Sequence, residues 1–272
     1  MKNKIQGIAF IGIFYLANSV MAQPLDTVKW RIHYATSFKE IEEAKGFRQD
    51  ERILDIGNKI SHFYSLWENR YREVMDSVIK KGGELQDIYN AFNKIIYPKS
   101  YSYYELYKNY PQKGTFTFTD RILKKYRYDE IMEVPQWRMM HKDTLIAGYP
   151  CQKAITQFRG RTWTAWFTLD IPISDGPWKL YGLPGLILQA TDDKGYFSFK
   201  CIQIEKGKNQ PIVFYKQKYI QCTRKQLNQL YIKKAKDVAS FVKEMGMGDG
   251  KGWGPDGKPL VNKPRTAILM DE

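Results

Sequence analysis

Apolar and polar residues alternate along much of the chain, and this period of two predicts β-strands. The first strand is predicted at residues 30–34, and a second strand-like stretch covers residues 52–64. The pattern then changes to that of amphipathic helices. One covers residues 73–81 and ends at a Gly-Gly pair, and the other covers residues 85–96.

Strand-like segments return at short intervals between residues 101 and 219. Thr and Phe alternate over residues 115–119, a longer alternating run begins near Trp163, and residues 186–190 are almost wholly apolar. Successive strands with short turns are typical of an antiparallel meander. We therefore expect an α+β fold: a curled antiparallel β-sheet, half-barrel-like, covered by a few helices and forming a single domain over residues 23–272.

A last helix is predicted behind Thr223. Thr223 and Gln226 have the spacing of a capping box, in which each side chain bonds the backbone of the other residue. Apolar residues then follow at helical spacing until Gly246, with lysines on the other side. A helix that covers the sheet has this pattern, and so does a helix that lies on a membrane surface.

The N-terminus has the three parts of a secretory signal peptide. Lys2 and Lys4 precede an apolar run at residues 5–16, and mostly small residues lead to Ala22. The run is shorter than the roughly 20 residues that a membrane anchor needs. We expect cleavage after Ala22 and an exported protein that is periplasmic, associated with the outer membrane or secreted.

The chain is strongly basic. Its formal net charge is +14, or +12 once the two signal lysines, Lys2 and Lys4, are removed. Such a charge favours anionic partners of the cell envelope, such as lipids and acidic glycans, or serves solubility. Export argues against nucleic acid as a partner.

Three cysteines are present, so at least one thiol has no partner within the chain. Outside the cytosol a disulfide is permitted. Cys201 and Cys222 end neighbouring strand-like segments, which makes them the favoured pair, although the sequence does not decide the pairing. Cys151 is then a free, buried thiol.

No catalytic, metal or cofactor motif is visible. The three histidines are not at metal-site spacing, and the chain has neither a zincin motif nor a hydrolase nucleophile motif. The Gly-rich residues 246–252 lack the Gly-Lys-Ser/Thr end of a phosphate loop, and Asp249 and Asp256 are too few for a calcium loop. One nucleophile hypothesis pairs Cys151 with His141 as its base. We expect no cofactor and no metal.

The most distinctive segment is residues 174–188, with the sequence SDGPWKLYGLPGLIL. Here the chain resembles the GLPGLI family of exported proteins, known mostly from the Bacteroidota. The hexapeptide that names the family stands intact as Gly182, Leu183, Pro184, Gly185, Leu186 and Ile187. Residues 148–154 and 159–173 are similar to the family's flanking strands. The resemblance implies no activity, because the family's function is unknown.

The hexapeptide has two interpretations. Its glycines permit positive φ or a close backbone approach, and Pro184 fixes φ before a buried strand, which favours a structural corner. Alternatively it is a ligand-contacting loop with Trp178 and Tyr181 as its aromatic floor. Trp163 and Trp166 on the preceding strand are further candidate ligand contacts.

Three functions compete. The leading hypothesis is a non-catalytic binding or carrier protein for a hydrophobic or envelope ligand, such as a lipid, peptide or glycan. The second is a hydrolase that uses Cys151 or an acidic pair, for which Glu130 and Asp143 are available. The third is an interaction subunit of an outer-membrane transporter.

Overall fold

A computed structural model describes residues 22–93, 102–248 and 263–272. Within these ranges the chain is mostly β, with fourteen strands and four helices. The strands are β1 (Ala22–Thr27), β2 (Trp30–Phe38), β3 (Arg48–Ile56), β4 (Ser61–Ser65), β5 (Glu105–Lys108), β6 (Thr115–Ile122), β7 (Lys124–Ile131), β8 (Arg138–Ile146), β9 (Tyr149–Phe158), β10 (Arg161–Thr168), β11 (Leu186–Asp192), β12 (Phe197–Lys206), β13 (Pro211–Tyr215) and β14 (Ile220–Gln221). The helices are α1 (Leu66–Lys80), α2 (Leu85–Asn93), α3 (Arg224–Lys236) and α4 (Val238–Glu244).

Twelve of these strands form one large sheet in the order β14-β7-β6-β5-β4-β3-β2-β12-β11-β10-β9-β8. Two meanders, β2 to β7 and β8 to β12, are joined by the antiparallel pairing of β2 with β12. Only the short β14 pairs in parallel, with β7. The sheet is open, because β14 and β8 lie at its two ends. The predicted antiparallel α+β fold is confirmed at this level, and its half-barrel curvature stays a prediction.

The predicted elements match the structure in position more closely than in length. The strand-like stretch at residues 52–64 is a hairpin, in which β3 and β4 pair with Ile56 opposite Ser61. Helix α1 begins seven residues earlier than its periodicity suggests, because Ser65 caps it by accepting a hydrogen bond from the Glu68 amide. It ends before Gly82, whose positive φ of 73° suits a helix end.

The C-terminal helix is interrupted where the sequence predicts continuity. Thr223 and Gln226 form the predicted capping box. Asp237 then ends α3 and starts α4, because its carboxylate accepts from the Ser240 amide at 2.9 Å. Because the helix breaks at Asp237, the apolar residues after the break face another direction than the sequence predicts. Phe241 is buried, whereas Val238 is 43% exposed.

The main core lies between the sheet, the segment that joins β10 to β11, and α3. Contacts across it join distant strands: the Tyr34 hydroxyl on β2 donates to the Ile187 carbonyl on β11 at 2.6 Å. A second, smaller core of Val28, Tyr107, Ile212 and Phe214 lies on the opposite face under β1 and β13. Neighbouring residues of β5 serve both cores, because successive side chains of a strand point to opposite faces.

The predicted Cys201–Cys222 disulfide is wrong, because all three cysteines are free thiols. Cys201 lies on β12 in the centre of the sheet, whereas Cys222 follows β14 at its edge, with six strands between β12 and β14. A disulfide needs its Cβ atoms within about 4.5 Å. The Cys222 thiol instead lies 3.6 Å from the Arg127 carbonyl oxygen.

Several predictions fall outside the described residues. The structure does not describe most of the predicted signal peptide at residues 1–22, nor Asp249 and Asp256, which were considered as calcium ligands. In the part of the chain that the structure describes, no helix has the length and apolarity to cross a membrane.

Candidate ligand-binding cavity

A cavity of about 470 Å³ opens between the sheet and α3. Its volume is within the range of small-molecule sites, about 300–1,000 Å³. Strands β2, β3, β6, β7 and β12 form its floor and walls, α3 forms one side, and residues 265–271 form another. The apolar and aromatic residues of its lining include Phe38, Ile41, Tyr104, Phe118, Ile122, Tyr128, Trp178, Phe197, Phe199, Leu227, Ala235, Ala267, Ile268, Leu269 and Met270.

One wall is a ladder of stacked rings. The Tyr104 and Phe118 ring centroids are 5.3 Å apart at an interplanar angle of 12°, and those of Phe118 and Tyr128 are 5.1 Å apart at 17°. Phe118 and Tyr128 project from neighbouring strands, β6 and β7, as directly paired residues. Cross-strand pairing therefore produces a flat aromatic wall.

Arg52 is a buried cation in this apolar wall, with only 1% of its surface exposed. Its guanidinium carbon lies 3.7 Å from the Tyr104 ring centroid, so the charge stacks on the aromatic face. Nη1 donates to Asp50 at 3.3 Å and Nη2 donates to the Tyr104 carbonyl. Nε has no hydrogen-bond partner among the described residues. Burial of an unpaired donor is costly, and this N–H lies inside the wall with almost no exposed surface.

Two carboxyl groups accompany Arg52, the buried Asp50 and the half-buried Asp120. Burial raises the pKa of Asp50 to about 6, against the charge of Arg52 and a hydrogen bond from Ser65. Burial also raises the pKa of Asp120, against the hydrogen bond that the Tyr231 hydroxyl donates to it. Asp120 and Tyr231 both line the cavity and connect β6 to α3.

The cavity lining carries more basic than acidic residues. Three acidic residues line it, Glu40, Asp120 and Asp271. Six basic residues do so, Lys39, Arg48, Arg52, Arg121, Lys234 and Arg265. The surplus matches the basic balance of the whole chain and favours an anion inside or at the entrance.

Residues 263–272 cross one side of the cavity as an extended strap. The Ile268 amide donates to the Glu40 carbonyl at 2.8 Å, and Arg161 Nε donates to the Leu269 carbonyl at 2.9 Å. Further along, the Asp271 carboxylate forms an ion pair with Lys179, whose side chain is wholly buried. The apolar residues 267–270 have the sequence of a last edge strand, but they form only one bridge, between Ala267 and Ile41.

The ion pair of Lys179 belongs to a larger charge cluster around Glu130. Lys179, Arg159 and Arg224 all contact both Glu130 and Asp271. Glu130, proposed from the sequence as a catalytic carboxylate, is therefore neutralised by three cations in a structural cluster. The other proposed carboxylate, Asp143, is exposed on β8.

The hexapeptide forms a tight corner beside the cavity without lining it. A Cβ built at Gly185 would lie 1.9 Å from the Thr168 carbonyl oxygen, which confirms that Gly185 allows a close backbone approach. Gly182 has a φ of +94°, and the Tyr181 carbonyl before it accepts from Trp137 Nε1 at 2.7 Å. The corner is also held by the buried Lys108, which forms an ion pair with Asp175 and donates to the Gly176 carbonyl at 2.7 Å.

Of the four candidate ligand contacts, only Trp178 lines the cavity. Trp178 and Trp163 are both fully buried, their ring centroids are 5.4 Å apart, and neither indole N–H has a partner among the described residues. Trp166 points to the other face of β10, beside Lys153. Tyr181 packs edge-on against Phe116 at 5.9 Å, away from the cavity.

The proposed nucleophile pair is not assembled. Cys151 is 1% exposed and its thiol donates to the Tyr149 carbonyl at 3.5 Å, whereas His141 is exposed on β8. Burial raises the pKa of Cys151 to about 11, which leaves little thiolate at neutral pH. Across the described ranges, no group of three His, Cys, Asp or Glu residues is placed to hold a metal ion.

A second polar cluster lies on the opposite face under β13. The His62 ring is stacked between Tyr64 and Tyr107, with centroid distances of 4.4 and 3.9 Å, and its Nε2 lies 3.0 Å from Glu105. Although burial acts to raise it, the charges of Arg72 and His62 hold the pKa of Glu105 below its usual range. The cluster ties α1 to β4 and β5, and we assign it a structural role.

Sequence reasoning missed Arg52, the strap and the charge cluster. One signal for Arg52 was present: Asp50 and Arg52 are two residues apart in a strand, and so share a face with apolar Leu54 and Ile56. A charged pair on an apolar face points to a buried ion pair. The apolar residues 267–270 indicate an edge strand and not a wall of the cavity.

The comparisons with known proteins agree with an uncharacterised family. A family model described as a protein of unknown function (Porph_ging) matches residues 155–189, which include the hexapeptide. The resemblance to the GLPGLI family itself stays a prediction. No curated protein matches the chain.

Two solved structures of PNGF-II, in different space groups, are similar to this chain. Each has a TM-score of 0.46 and 13% sequence identity, over 78% of this chain and 34% of that chain. The chain therefore spans about a third of the length of the PNGF-II structures that it matches. Neither the family model nor these structures assign an activity to this protein.

Proposed function

We propose that this protein is a non-catalytic binding or carrier protein of the cell envelope, which holds a hydrophobic ligand between the sheet and α3. The observation that carries the proposal is the 470 Å³ cavity with its aromatic wall. An apolar cavity with a few polar groups is the usual form of a small-molecule site. Export, predicted from the N-terminus, would give such a protein access to envelope lipids.

The energetics favour a ligand with a long apolar part. Burial of each methylene group stabilises a complex by about 0.8 kcal/mol. Tyr104, Phe118 and Tyr128 stack on one another, which already fixes these rings in the wall. Ordering them on binding would therefore cost little free energy. Micromolar affinity needs a net of about 8 kcal/mol after the cost of association.

Ala235 on α3 offers a direct test, because it lines the cavity and is 4% exposed. Substitution Ala235→Trp places a large ring in the cavity and should abolish binding of dodecyl amphiphiles, measured by native mass spectrometry and thermal shift. The matched control, Ile232→Trp, changes a 47% exposed position of the same helix and should bind like the unaltered protein. Equal binding by both variants would place the ligand elsewhere and refute the proposal.

A further inference from the structure

We propose that the mouth of the cavity is a docking surface for an anionic lipid bilayer. This inference goes beyond the proposed function and does not rest on it, because a surface can bind a bilayer whether or not the cavity holds a ligand. It starts from the residues of the cavity lining that are exposed to solvent. We call them the mouth, and they are Ala44, Gly46, Arg48, Lys234, Val238 and Arg265.

Three separate segments of the chain meet at the mouth, with the strap in the middle. On one side the strap lies against residues 41–48, since Ala267 forms its bridge with Ile41. On the other side the Arg265 amide donates to the Ala235 carbonyl at 3.1 Å, which joins the strap to the end of α3. The exposed residues of the mouth therefore belong to one continuous surface.

The mouth contains three cations and, in the part of the chain that the structure describes, no acid. Arg48 forms an ion pair with Glu40 at 2.7 Å. The side chains of Lys234, in the last turn of α3, and of Arg265 form no hydrogen bond or ion pair with another described residue. Two cations are therefore free at the opening, where an anionic group can reach them.

The acidic residues next to the mouth are engaged by neighbours in this chain. The Tyr196 hydroxyl donates to the Glu42 carboxylate at 2.9 Å. The Glu43 carboxylate, which attracts Arg265, accepts from the Thr266 amide at 2.9 Å. Both carboxylates thus bind groups of this chain, whereas the Lys234 and Arg265 side chains do not, and positive charge faces an approaching partner.

Val238 adds an apolar group to the same surface. It begins α4, lines the cavity and is 43% exposed. Exposed apolar groups among lysines and arginines are typical of proteins that lie on a lipid interface. A bilayer offers acid headgroups to the cations and apolar chains to Val238, and each Lys or Arg near such a surface adds to the attraction. A soluble polyanion would use the cations alone.

The first experiment measures sedimentation of the mature chain with two kinds of vesicle. One is pure phosphatidylcholine, and the other contains equal parts of phosphatidylcholine and phosphatidylglycerol. We expect binding to the anionic vesicles to be about tenfold tighter or more, and to weaken as salt screens the exposed charges. Equal binding to both kinds, or to neither, would overturn the inference. Binding to dextran sulfate without binding to vesicles would assign the mouth to a soluble polyanion, which also overturns it.

Lys234→Glu combined with Arg265→Glu tests whether the mouth is the part that docks. We expect about a tenfold or greater loss of affinity for the anionic vesicles. Lys142→Glu combined with Lys200→Glu is the matched control, because it changes the net charge equally at two exposed positions outside the cavity lining. The control should bind within about twofold of the unaltered protein, since distant exposed charges are screened. An equal loss in both double variants would overturn the role of the mouth.

Val238→Glu tests the apolar contact, and an acid in the first turn of a helix is compatible with α4. We expect about a fivefold or greater loss of vesicle affinity. Ile202→Glu is the control, because Ile202 is 52% exposed on β12 and does not line the cavity. Equal losses in these two variants would contradict docking through the mouth. A protein that binds dodecyl amphiphiles but not anionic vesicles would overturn this inference and leave the proposed function standing.

Discussion

Gly185 packs directly on the Thr168 carbonyl, so closely that a Cβ at Gly185 would lie 1.9 Å from the carbonyl oxygen. The contact is between backbone and backbone, and no side chain can move to relieve it. The end of β10 and the start of β11 are also paired here, with Thr168 opposite Leu186. Glycine at the centre of the hexapeptide is therefore required by the way the two strands meet.

Substitution Gly185→Ala should lower the free energy of unfolding by about 3 kcal/mol or more, at the upper end of the range for overpacking. Chemical denaturation of the purified protein measures this. Gly46→Ala is the matched control, because a Cβ at Gly46 meets nothing within 4 Å. The control should change stability by less than about 0.5 kcal/mol. A stable Gly185→Ala variant would show that the corner can open.

The strap should depend on the ion pair between Asp271 and Lys179. Asp271→Asn leaves a wholly buried ammonium group with one carboxylate fewer, and should destabilise the protein by about 3 kcal/mol. Glu244→Gln provides the control, because it breaks the Lys233–Glu244 pair, in which both side chains are more than half exposed. That variant should lose less than about 1 kcal/mol in the same denaturation experiment. Equal effects would mean that the strap is held by other contacts.

Asp50 should make stability fall as the pH rises from about 4 to about 6. Its pKa is about 6 in the folded chain against an ordinary value of 3.8, so the folded state binds the extra proton in this window. The stabilisation is fully present below pH 3.8 and is lost as the pH rises through 6. Denaturation of the protein and of Asp50→Asn across this range isolates the effect, which should reach about 3 kcal/mol. Parallel pH profiles for the two proteins would contradict the burial of an ionisable Asp50.

The three thiols should differ in reactivity. Burial raises the pKa of Cys151 to about 11 and that of Cys201 to about 12, and both side chains lie in the core. Cys222 is only partly buried, so iodoacetamide should label Cys222 first in the folded protein, as followed by peptide mass spectrometry. All three should react after unfolding in guanidinium chloride. Rapid labelling of Cys151 in the folded protein would restore the hydrolase hypothesis.

Trp178 should report on ligand binding through its fluorescence. It lines the cavity, whereas the equally buried Trp163 does not, although the two rings are 5.4 Å apart. The change in tryptophan emission caused by a bound amphiphile should be lost in Trp178→Phe and kept in Trp163→Phe. A change that persists in Trp178→Phe would place the ligand near another indole.

Local features of the fold could be predicted where one short segment carries its own signal. The alternation of residues 115–119 indicates β6, and the Thr223–Gln226 spacing indicates the start of α3. The end of α3 and start of α4 at Asp237 was not predicted. An Asp within a sequence of helical periodicity can lie on the helix surface or cap a new helix, and the sequence does not distinguish the two. The Cys201–Cys222 pairing was wrong because nearness in sequence does not place two strands side by side: β12 pairs with β2, and Phe199 lies opposite Thr36 from a distant part of the chain.

The antiparallel meanders, the capping box of α3 and the glycine corner follow from the amino-acid sequence, because hydrogen bonding and steric exclusion within short segments dictate them. The cavity depends on the tertiary structure. Its Arg52, Trp178 and Leu227 come from three distant parts of the chain, and the strap at residues 263–272 completes it. The buried charge of Arg52 is held by Asp50, the Tyr104 carbonyl and the Tyr104 ring, which only packing brings around it, and no periodicity in the sequence records that outcome.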